Sequence, residues 1–182
     1  MKKACITCLD MRIAVSVLVC YLTASLLNHF GFQFSFGEMK IEIIQKMAAC
    51  ISCLLCCQDT TQISKKAGIN RLIITAVGGS VAVLVVIFDT VITNEWLMTV
   101  MVAAGVLLTL YFCKAAKVPY INARIGGVTF IIVVCALQGH ARICYAVFRF
   151  VSTLYGVIIV LFVTWLFERF IPNKNFLYDH QA

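Results

Sequence analysis

The sequence has few charged residues, few prolines and few glycines. Charged side chains make up 13% of its 182 residues, and only 8 of these are Asp or Glu, whereas about a quarter of a soluble domain is charged. This scarcity excludes an ordinary soluble enzyme and a disordered chain. With 2 prolines and 10 glycines, the chain also lacks the turn residues that a turn-rich barrel needs, which favours helices.

Long basic runs and catalytic motifs are missing too. The net charge is +7, but no basic run is longer than Lys65-Lys66, so no nucleic-acid partner is predicted. The 3 histidines are scattered, and no His-Glu-x-x-His, Gly-x-Ser-x-Gly or phosphate-binding loop occurs. We therefore predict no enzyme activity, no metal site and no cofactor.

Apolar residues are abundant instead. They form 62% of the chain, and the mean hydropathy is +0.98. A soluble chain of this length has no interior large enough for so much apolar surface. The solvent is then a lipid bilayer, and the composition predicts an all-α polytopic membrane protein.

Six apolar segments suggest six transmembrane helices. They are Ile13–Phe30, Ile43–Cys57, Leu72–Phe88, Trp96–Cys113, Ile125–Leu137 and Phe150–Phe167. A helix needs about 20 residues to cross the hydrocarbon core, so the second and fifth segments are short and must borrow polar flanking residues. The predicted organisation is a six-helix transmembrane domain over residues 1–170, followed by a short cytoplasmic tail over 171–182.

The basic residues favour one orientation of these six spans. With both termini inside, the inner loops and ends would hold eleven basic residues: Lys2, Lys3, Arg12, Lys65, Lys66, Arg71, Lys114, Lys117, Arg124, Arg169 and Lys174. The outer side would hold four: Lys40, Lys46, Arg142 and Arg149. Because basic residues concentrate in cytoplasmic loops, we predict a multi-pass protein of the plasma membrane with both termini in the cytoplasm.

A short motif occurs twice. Arg71, Thr75 and Gly78 open the third segment, and Arg149, Thr153 and Gly156 open the sixth with the same spacing, 78 residues later. Three spans separate the two copies, so the second copy is inverted in the membrane. The pattern predicts a three-plus-three inverted repeat, with repeat one at about 12–88 and repeat two at about 96–167, a construction common in secondary transporters.

Each residue of the motif also has an ordinary structural explanation. An Arg at the end of a span can anchor it at the interface, a Thr can bond between helices, and a Gly permits close packing. The cysteine cluster Cys50, Cys53, Cys56 and Cys57 is likewise open to two interpretations. It is either apolar filling or a redox-active set of thiols.

With these motifs, the sequence resembles the aromatic acid exporter / fusaric acid resistance (FUSC-like) membrane proteins. Their six-span unit carries Gly-x-x-Arg-x-x-Gly-Thr-x-x-Gly, matched here from Gly68 through Arg71 and Thr75 to Gly78, and a later Arg-x-x-x-Thr-x-x-Gly, matched from Arg149. Two departures are Ile74, where the family usually has Gly, and Cys56-Cys57-Gln58-Asp59, where a Pro-containing turn often follows the second span.

The resemblance implies a transporter, or a transporter subunit, that exports small organic anions, in particular aromatic carboxylic acids. On this hypothesis the substrate path includes Arg71, Thr75, Gly78, Arg149, Thr153 and Gly156. Each Arg would lie at the N-terminus of its own helix, where the helix dipole and the guanidinium both attract a carboxylate, and each Thr would line the path.

The partners implied are the organic anion and membrane lipid. Many relatives continue into a large cytoplasmic domain, so we also expect a homo-oligomer or a partner chain that supplies such a domain. Two other functions remain open from the sequence. One is a six-span substrate-binding subunit of a vitamin importer, and the other is a non-transporting membrane scaffold or redox protein that uses the cysteine cluster.

Overall fold

The structure is a computed structural model that describes residues 7–31, 33–36, 39–91, 95–136 and 141–170. Within these ranges the chain forms six helices and one β-hairpin. The helices are α1 Cys8–His29, α2 Lys46–Cys56, α3 Thr61–Val91, α4 Glu95–Ala115, α5 Tyr120–Ala136 and α6 Ala141–Phe170. The predicted tail over 171–182 lies outside the described residues.

The six helices match the six predicted apolar segments in order. Four are long and apolar enough to cross a membrane, namely α1, α3, α4 and α6, whereas α2 and α5 are shorter apolar helices. At 1.5 Å per residue, α2 is roughly 16 Å long, about half the hydrocarbon thickness. The prediction that the second and fifth segments are short is confirmed.

The outer surface of the helices is largely apolar. Large exposed side chains include Leu18 on α1, Leu107 on α4 and both Ile158 and Phe162 on α6. A soluble protein rarely exposes so continuous an apolar surface. The surface therefore agrees with the composition, and the chain is a helical membrane protein.

A β-hairpin between α1 and α2 was not predicted. Strand β1 Gln33–Phe36 pairs antiparallel with β2 Met39–Glu42, with Gln33 opposite Glu42 and Phe36 opposite Met39. In the sequence, apolar residues at every second position on both sides of Gly37 form a hairpin pattern. The hairpin follows Gly31, whose φ of +94° suits a residue without Cβ.

Two helices begin earlier than predicted. The third and sixth predicted segments begin at Leu72 and Phe150, but α3 begins at Thr61 and α6 begins at Ala141. Polar side chains such as Lys65 and Lys66 end the apolar run without ending the helix, because long polar residues are good helix formers. The prediction that Arg71 and Arg149 lie at the N-termini of their own helices is therefore wrong.

Helices α3 and α6 are antiparallel and form the centre of the bundle. At one end, the Glu168 carboxylate accepts bonds from Thr61 N at 2.7 Å and Thr61 Oγ1 at 2.6 Å. At the other end, Arg142 Nη1 pairs with Asp89 Oδ2 at 2.9 Å. We name these ends the Thr61 face and the Asp89 face.

The remaining helices pack around this central pair. Helix α5 packs on α3 and α4, while α2 packs on α6 and α1. One core lies at the α1, α2 and α6 contacts and includes Cys20, Cys53 and Val160. A second core lies at the α3, α4 and α5 contacts around Val81 and Phe130. Each short helix is thus held between two long ones.

Candidate functional site

The two Arg–Thr–Gly motifs have the same local geometry. Thr75 Oγ1 donates to the backbone oxygen of Arg71 at 2.9 Å, and Thr153 Oγ1 donates to that of Arg149 at 2.9 Å. All four residues are buried. Each Thr hydroxyl therefore donates its hydrogen bond within its own helix. Toward any other group, its oxygen can only accept a hydrogen bond.

The glycine of each motif lies against the backbone of a short helix. A Cβ on Gly78 would lie 2.6 Å from the carbonyl oxygen of Gly126 in α5. A Cβ on Gly156 would clash with the carbonyl oxygen of Ala49 in α2. Each glycine thus allows a long helix to approach the short helix of the other half of the chain, the ordinary role of small residues in membrane helices.

Arg71 lies inside the protein, and it forms no ion pair with any residue that the structure describes. Its side chain is buried, with 5% of the residue exposed. Its Nε and Nη1 atoms have no hydrogen-bond partner among the described residues. Because a buried charge without hydrogen bonds is costly, this environment favours an anion or ordered water beside the guanidinium.

A small cavity of about 60 Å³ lies beside Arg71. Its wall comes from the end of α2, the middle of α3 and the first turns of α5. The lining residues are Leu55, Cys56, Ala67, Arg71, Ile74, Asn122 and Ile125. The cavity is large enough for several water molecules. Its lining includes Ile74, one of the positions at which the sequence differs from the motif of the family that it resembles.

Arg149 is also buried, with 4% of the residue exposed. It lies on the face of α6 that meets the start of α2. There Gln45, the residue before α2, donates from its backbone N to Ser152 Oγ at 2.7 Å and from Nε2 to the Tyr145 oxygen at 3.4 Å. Tyr145 and Ser152 lie one turn before and one turn after Arg149 on α6.

The chain just before α2 is extended and buried. Ile44 and Gln45 are buried, and Gln45 has extended backbone angles. Asn28 Nδ2 donates to the Ile44 oxygen at 3.1 Å. Irregular backbone inside a membrane protein is tolerated where the protein buries it or where it lines a cavity. The sequence analysis did not predict this segment.

Among the described residues the two ion pairs are Lys46 with Glu42 and Arg142 with Asp89, so neither pair includes Arg71 or Arg149. Both predicted arginines lie buried in the interior of the bundle on its two central helices, rather than at the ends of those helices.

The cysteine cluster is mostly packed into the core. Cys53, Cys56 and Cys57 are almost fully buried, and the described cysteines are free thiols. Cys53 Sγ donates to the Gly156 oxygen at 3.2 Å. Among the residues that the structure describes, no group of three His, Cys, Asp or Glu side chains could hold a metal ion.

Sequence reasoning missed the polar groups near each arginine. Asn122 lines the Arg71 cavity, and Gln45 and Ser152 bond beside Arg149. Only their positions in the sequence could have pointed to two of these residues. Asn122 follows Pro119, a common residue at a helix start, and Gln45 lies close to the start of the second apolar segment.

Comparison with known proteins gives one match. The profile of the family described as fusaric acid resistance protein-like matches residues 19–163. The matched range covers both Arg–Thr–Gly motifs, the two short helices and the cavity. No curated protein and no solved structure matches the chain.

Proposed function

The chain belongs to the fusaric acid resistance protein-like family, and from this premise we propose that it is a membrane transporter, rather than an enzyme, that exports small organic anions, in particular aromatic carboxylic acids. The observation that carries the proposal is the pair of buried arginines, Arg71 and Arg149. Neither belongs to an ion pair among the described residues, and an anionic substrate would supply the missing charge.

The physical need for such residues is clear. A carboxylate in the hydrocarbon core is strongly destabilised unless cationic groups meet it. A guanidinium is suited to this, because it holds a carboxylate through two parallel hydrogen bonds and stacks on aromatic rings.

The contacts of the helices support a three-plus-three inverted repeat. Exchanging α1, α2 and α3 with α4, α5 and α6 converts each major helix pair into another observed pair. Thus α1·α2 becomes α4·α5, α2·α6 becomes α5·α3, and α1·α6 becomes α4·α3. The central pair α3·α6 is converted into itself and is antiparallel, as an inverted repeat requires.

In such a repeat, the two arginines are equivalent positions on opposite sides of the centre. Arg71 lies roughly 15 Å from the start of α3, and Arg149 lies roughly 12 Å from the start of α6, at 1.5 Å per residue. Each lies beside the first residues of the short helix from the other half. We propose that the anion passes from one arginine to the other as the two halves rock about the α3·α6 pair.

An apolar groove next to the second motif suits an aromatic ring. The groove has a volume of about 500 Å³ and runs between α3 and α6, where Thr75, Gly79, Ala146 and Phe150 are among its lining residues. Phe150 follows Arg149 directly in the chain. A ring placed here would contact Phe150, and aromatic contacts of this kind are favourable.

The orientation follows from the basic residues near the two faces. Arg12, Lys65 and Lys66 belong to the Thr61 end of the bundle, where Arg12 Nη1 bonds to the Asp59 oxygen at 2.8 Å. Since basic residues concentrate on the cytoplasmic side, we propose that the Thr61 face is cytoplasmic, that the protein lies in the plasma membrane and that both termini are inside. We also propose that it self-associates or binds a chain carrying a cytoplasmic domain.

The test is efflux of radiolabelled benzoate and other carboxylic acids from cells that express the full chain. Cells are loaded with the acid and export is compared with that of empty cells. The variants are Arg71→Gln and Arg149→Gln, and the control is Arg124→Gln, which removes an exposed Arg that stacks on Tyr120 at 4.8 Å. A charged hydrogen bond contributes about 1.5–3 kcal/mol, so each test variant should export about tenfold more slowly or worse at equal membrane abundance.

Export by the control should match the wild type. Equal export by all variants would contradict the role of the arginines, and no export of any acid above that of empty cells would contradict the transport function.

A further inference from the structure

The cavity beside Arg71 has the features of a built binding site. It lies where three helices meet, at the last residue of α2, the middle of α3 and the first turn of α5. Its polar lining residues are Arg71, Asn122 and Cys56, and its remaining lining residues are apolar. An apolar pocket with a few polar groups is the usual form of a small-molecule site.

The guanidinium provides an independent sign that a ligand belongs there. Arg71 is more than nine-tenths buried and is one of the residues that line the cavity, and its Nε and Nη1 atoms have no partner among the described residues. The Asn122 amide can add another donor on the same wall. Donors without acceptors around a polar space favour an acceptor-rich anion, and a carboxylate has two oxygen atoms that accept several hydrogen bonds.

We propose that this cavity is a binding site for the carboxylate group of a small organic acid, held by Arg71 and Asn122, with the Cys56 thiol forming part of its wall. The inference rests on the proposed function for the role of Arg71, and it adds a specific location, a second ligand-binding residue and a chemical reporter. A carboxylate in the cavity would lie between solvent and Cys56, so its presence would shield the thiol.

Labelling of Cys56 can report on the cavity because the next residue, Cys57, provides an internal control. Cys56 and Cys57 are 1% and 2% exposed, but only Cys56 is among the residues that line the cavity. Both thiols fall in the tryptic peptide 47–65, so tandem mass spectrometry measures their labelling in one sample.

The experiment uses the full-length protein purified in detergent. It is alkylated with iodoacetate or with iodoacetamide, two reagents of similar size of which only the first is an anion. Labelling of Cys56 relative to Cys57 is followed over time, with and without benzoate, and with benzamide as the neutral analogue. The variants are Arg71→Gln and Asn122→Ala, and the control is the exposed Arg124→Gln. Equilibrium binding of radiolabelled benzoate to the same preparations is the second measurement.

We expect the anionic reagent to favour Cys56 over Cys57 more than the neutral reagent does. Benzoate at ten times its dissociation constant should slow Cys56 labelling about tenfold, because the rate follows the unoccupied fraction, and benzamide should not. Arg71→Gln should abolish the preference and the protection, Asn122→Ala should weaken the protection, and Arg124→Gln should change neither.

The inference is overturned if benzoate binding is unchanged in Arg71→Gln, or if labelling of Cys56 responds neither to the charge of the reagent nor to benzoate. If Cys56 is unreactive in every sample, the binding measurement decides by the same criterion. This outcome is separate from that of the proposed function. Export with no site at Arg71 would leave the transporter and reject the cavity, while benzoate protection without export would keep the cavity and reject the transporter.

Discussion

Gly78 and Gly126 bring the backbones of α3 and α5 into direct contact, since a Cβ added at Gly78 would lie 2.6 Å from the Gly126 oxygen. This contact fixes the start of α5 beside Arg71. The equivalent contact of Gly156 with Ala49 fixes the start of α2 beside Arg149. The glycines of the two motifs thus position the short helices against the arginines, which explains why the three residue types recur together.

Replacing Gly78 with Ala should destabilise the protein, whereas the same change at Gly79 should not. A Cβ at Gly78 meets backbone atoms that cannot move independently, while a Cβ at Gly79 meets nothing within 4 Å. Overpacking of this kind costs about 1–3 kcal/mol. The measurement is thermal unfolding in detergent, followed by a dye that reacts with thiols as the buried cysteines become exposed. Equal melting temperatures for the two variants would show that α3 and α5 are not in this close contact.

The ion pair at the Asp89 face should contribute modestly to stability. Arg142 and Asp89 are partly buried, with 14% and 28% of their side chains exposed, and are 2.9 Å apart. A double-mutant cycle with Asp89→Asn and Arg142→Gln should give a coupling of about 1 kcal/mol. The free energy of unfolding is measured by titration with a denaturing detergent. If the effects of the two substitutions are simply additive, the side chains do not interact in the folded protein.

Arg12 should hold α1 against the connection between α2 and α3. Its Nη1 donates to the oxygen atoms of Gln58 at 3.2 Å and Asp59 at 2.8 Å, and its guanidinium lies 5.8 Å from the centre of the Phe167 ring. Arg12→Gln should cost about 1–3 kcal/mol in unfolding free energy, because it removes two charge-assisted hydrogen bonds, one of which is part-buried.

The matched control for Arg12 is Lys66→Gln, which removes an exposed basic residue near the start of α3. Both variants lose one positive charge, so a general effect of net charge would lower their stabilities equally. Only a larger loss in Arg12→Gln, seen in the same detergent titration, agrees with a specific contact.

The sequence predicted the number and order of the helices because long apolar runs leave few alternatives in a bilayer. The identical spacing to Thr and Gly drew attention to Arg71 and Arg149, which are both buried, and their place on a substrate path stays a prediction. The predicted starts of α3 and α6 were wrong, because hydropathy shows only where an apolar segment begins. The hydrogen-bonded helix can extend beyond that point into polar residues. Thr61 begins α3 well outside the apolar run.

The surroundings of the arginines could not be derived from the sequence for a related reason. Asn122 reaches the Arg71 cavity only through the packing of α5 on α3, and Gln45 reaches α6 only because the chain before α2 is extended and buried. Both depend on tertiary contacts between segments far apart in the chain, which local patterns do not encode. Hydropathy also does not show the β-hairpin, whose alternating pattern is short.

The central claim is that this chain moves organic anions through the region of Arg71 and Arg149, and uptake of radiolabelled benzoate by vesicles containing the purified full-length protein tests it most directly. Vesicles preloaded with unlabelled benzoate should accumulate label by exchange, at a rate that falls about tenfold or more in Arg71→Gln and in Arg149→Gln and is unchanged in Arg124→Gln. Exchange no faster than in protein-free vesicles, or exchange that survives the loss of both arginines, would contradict the account.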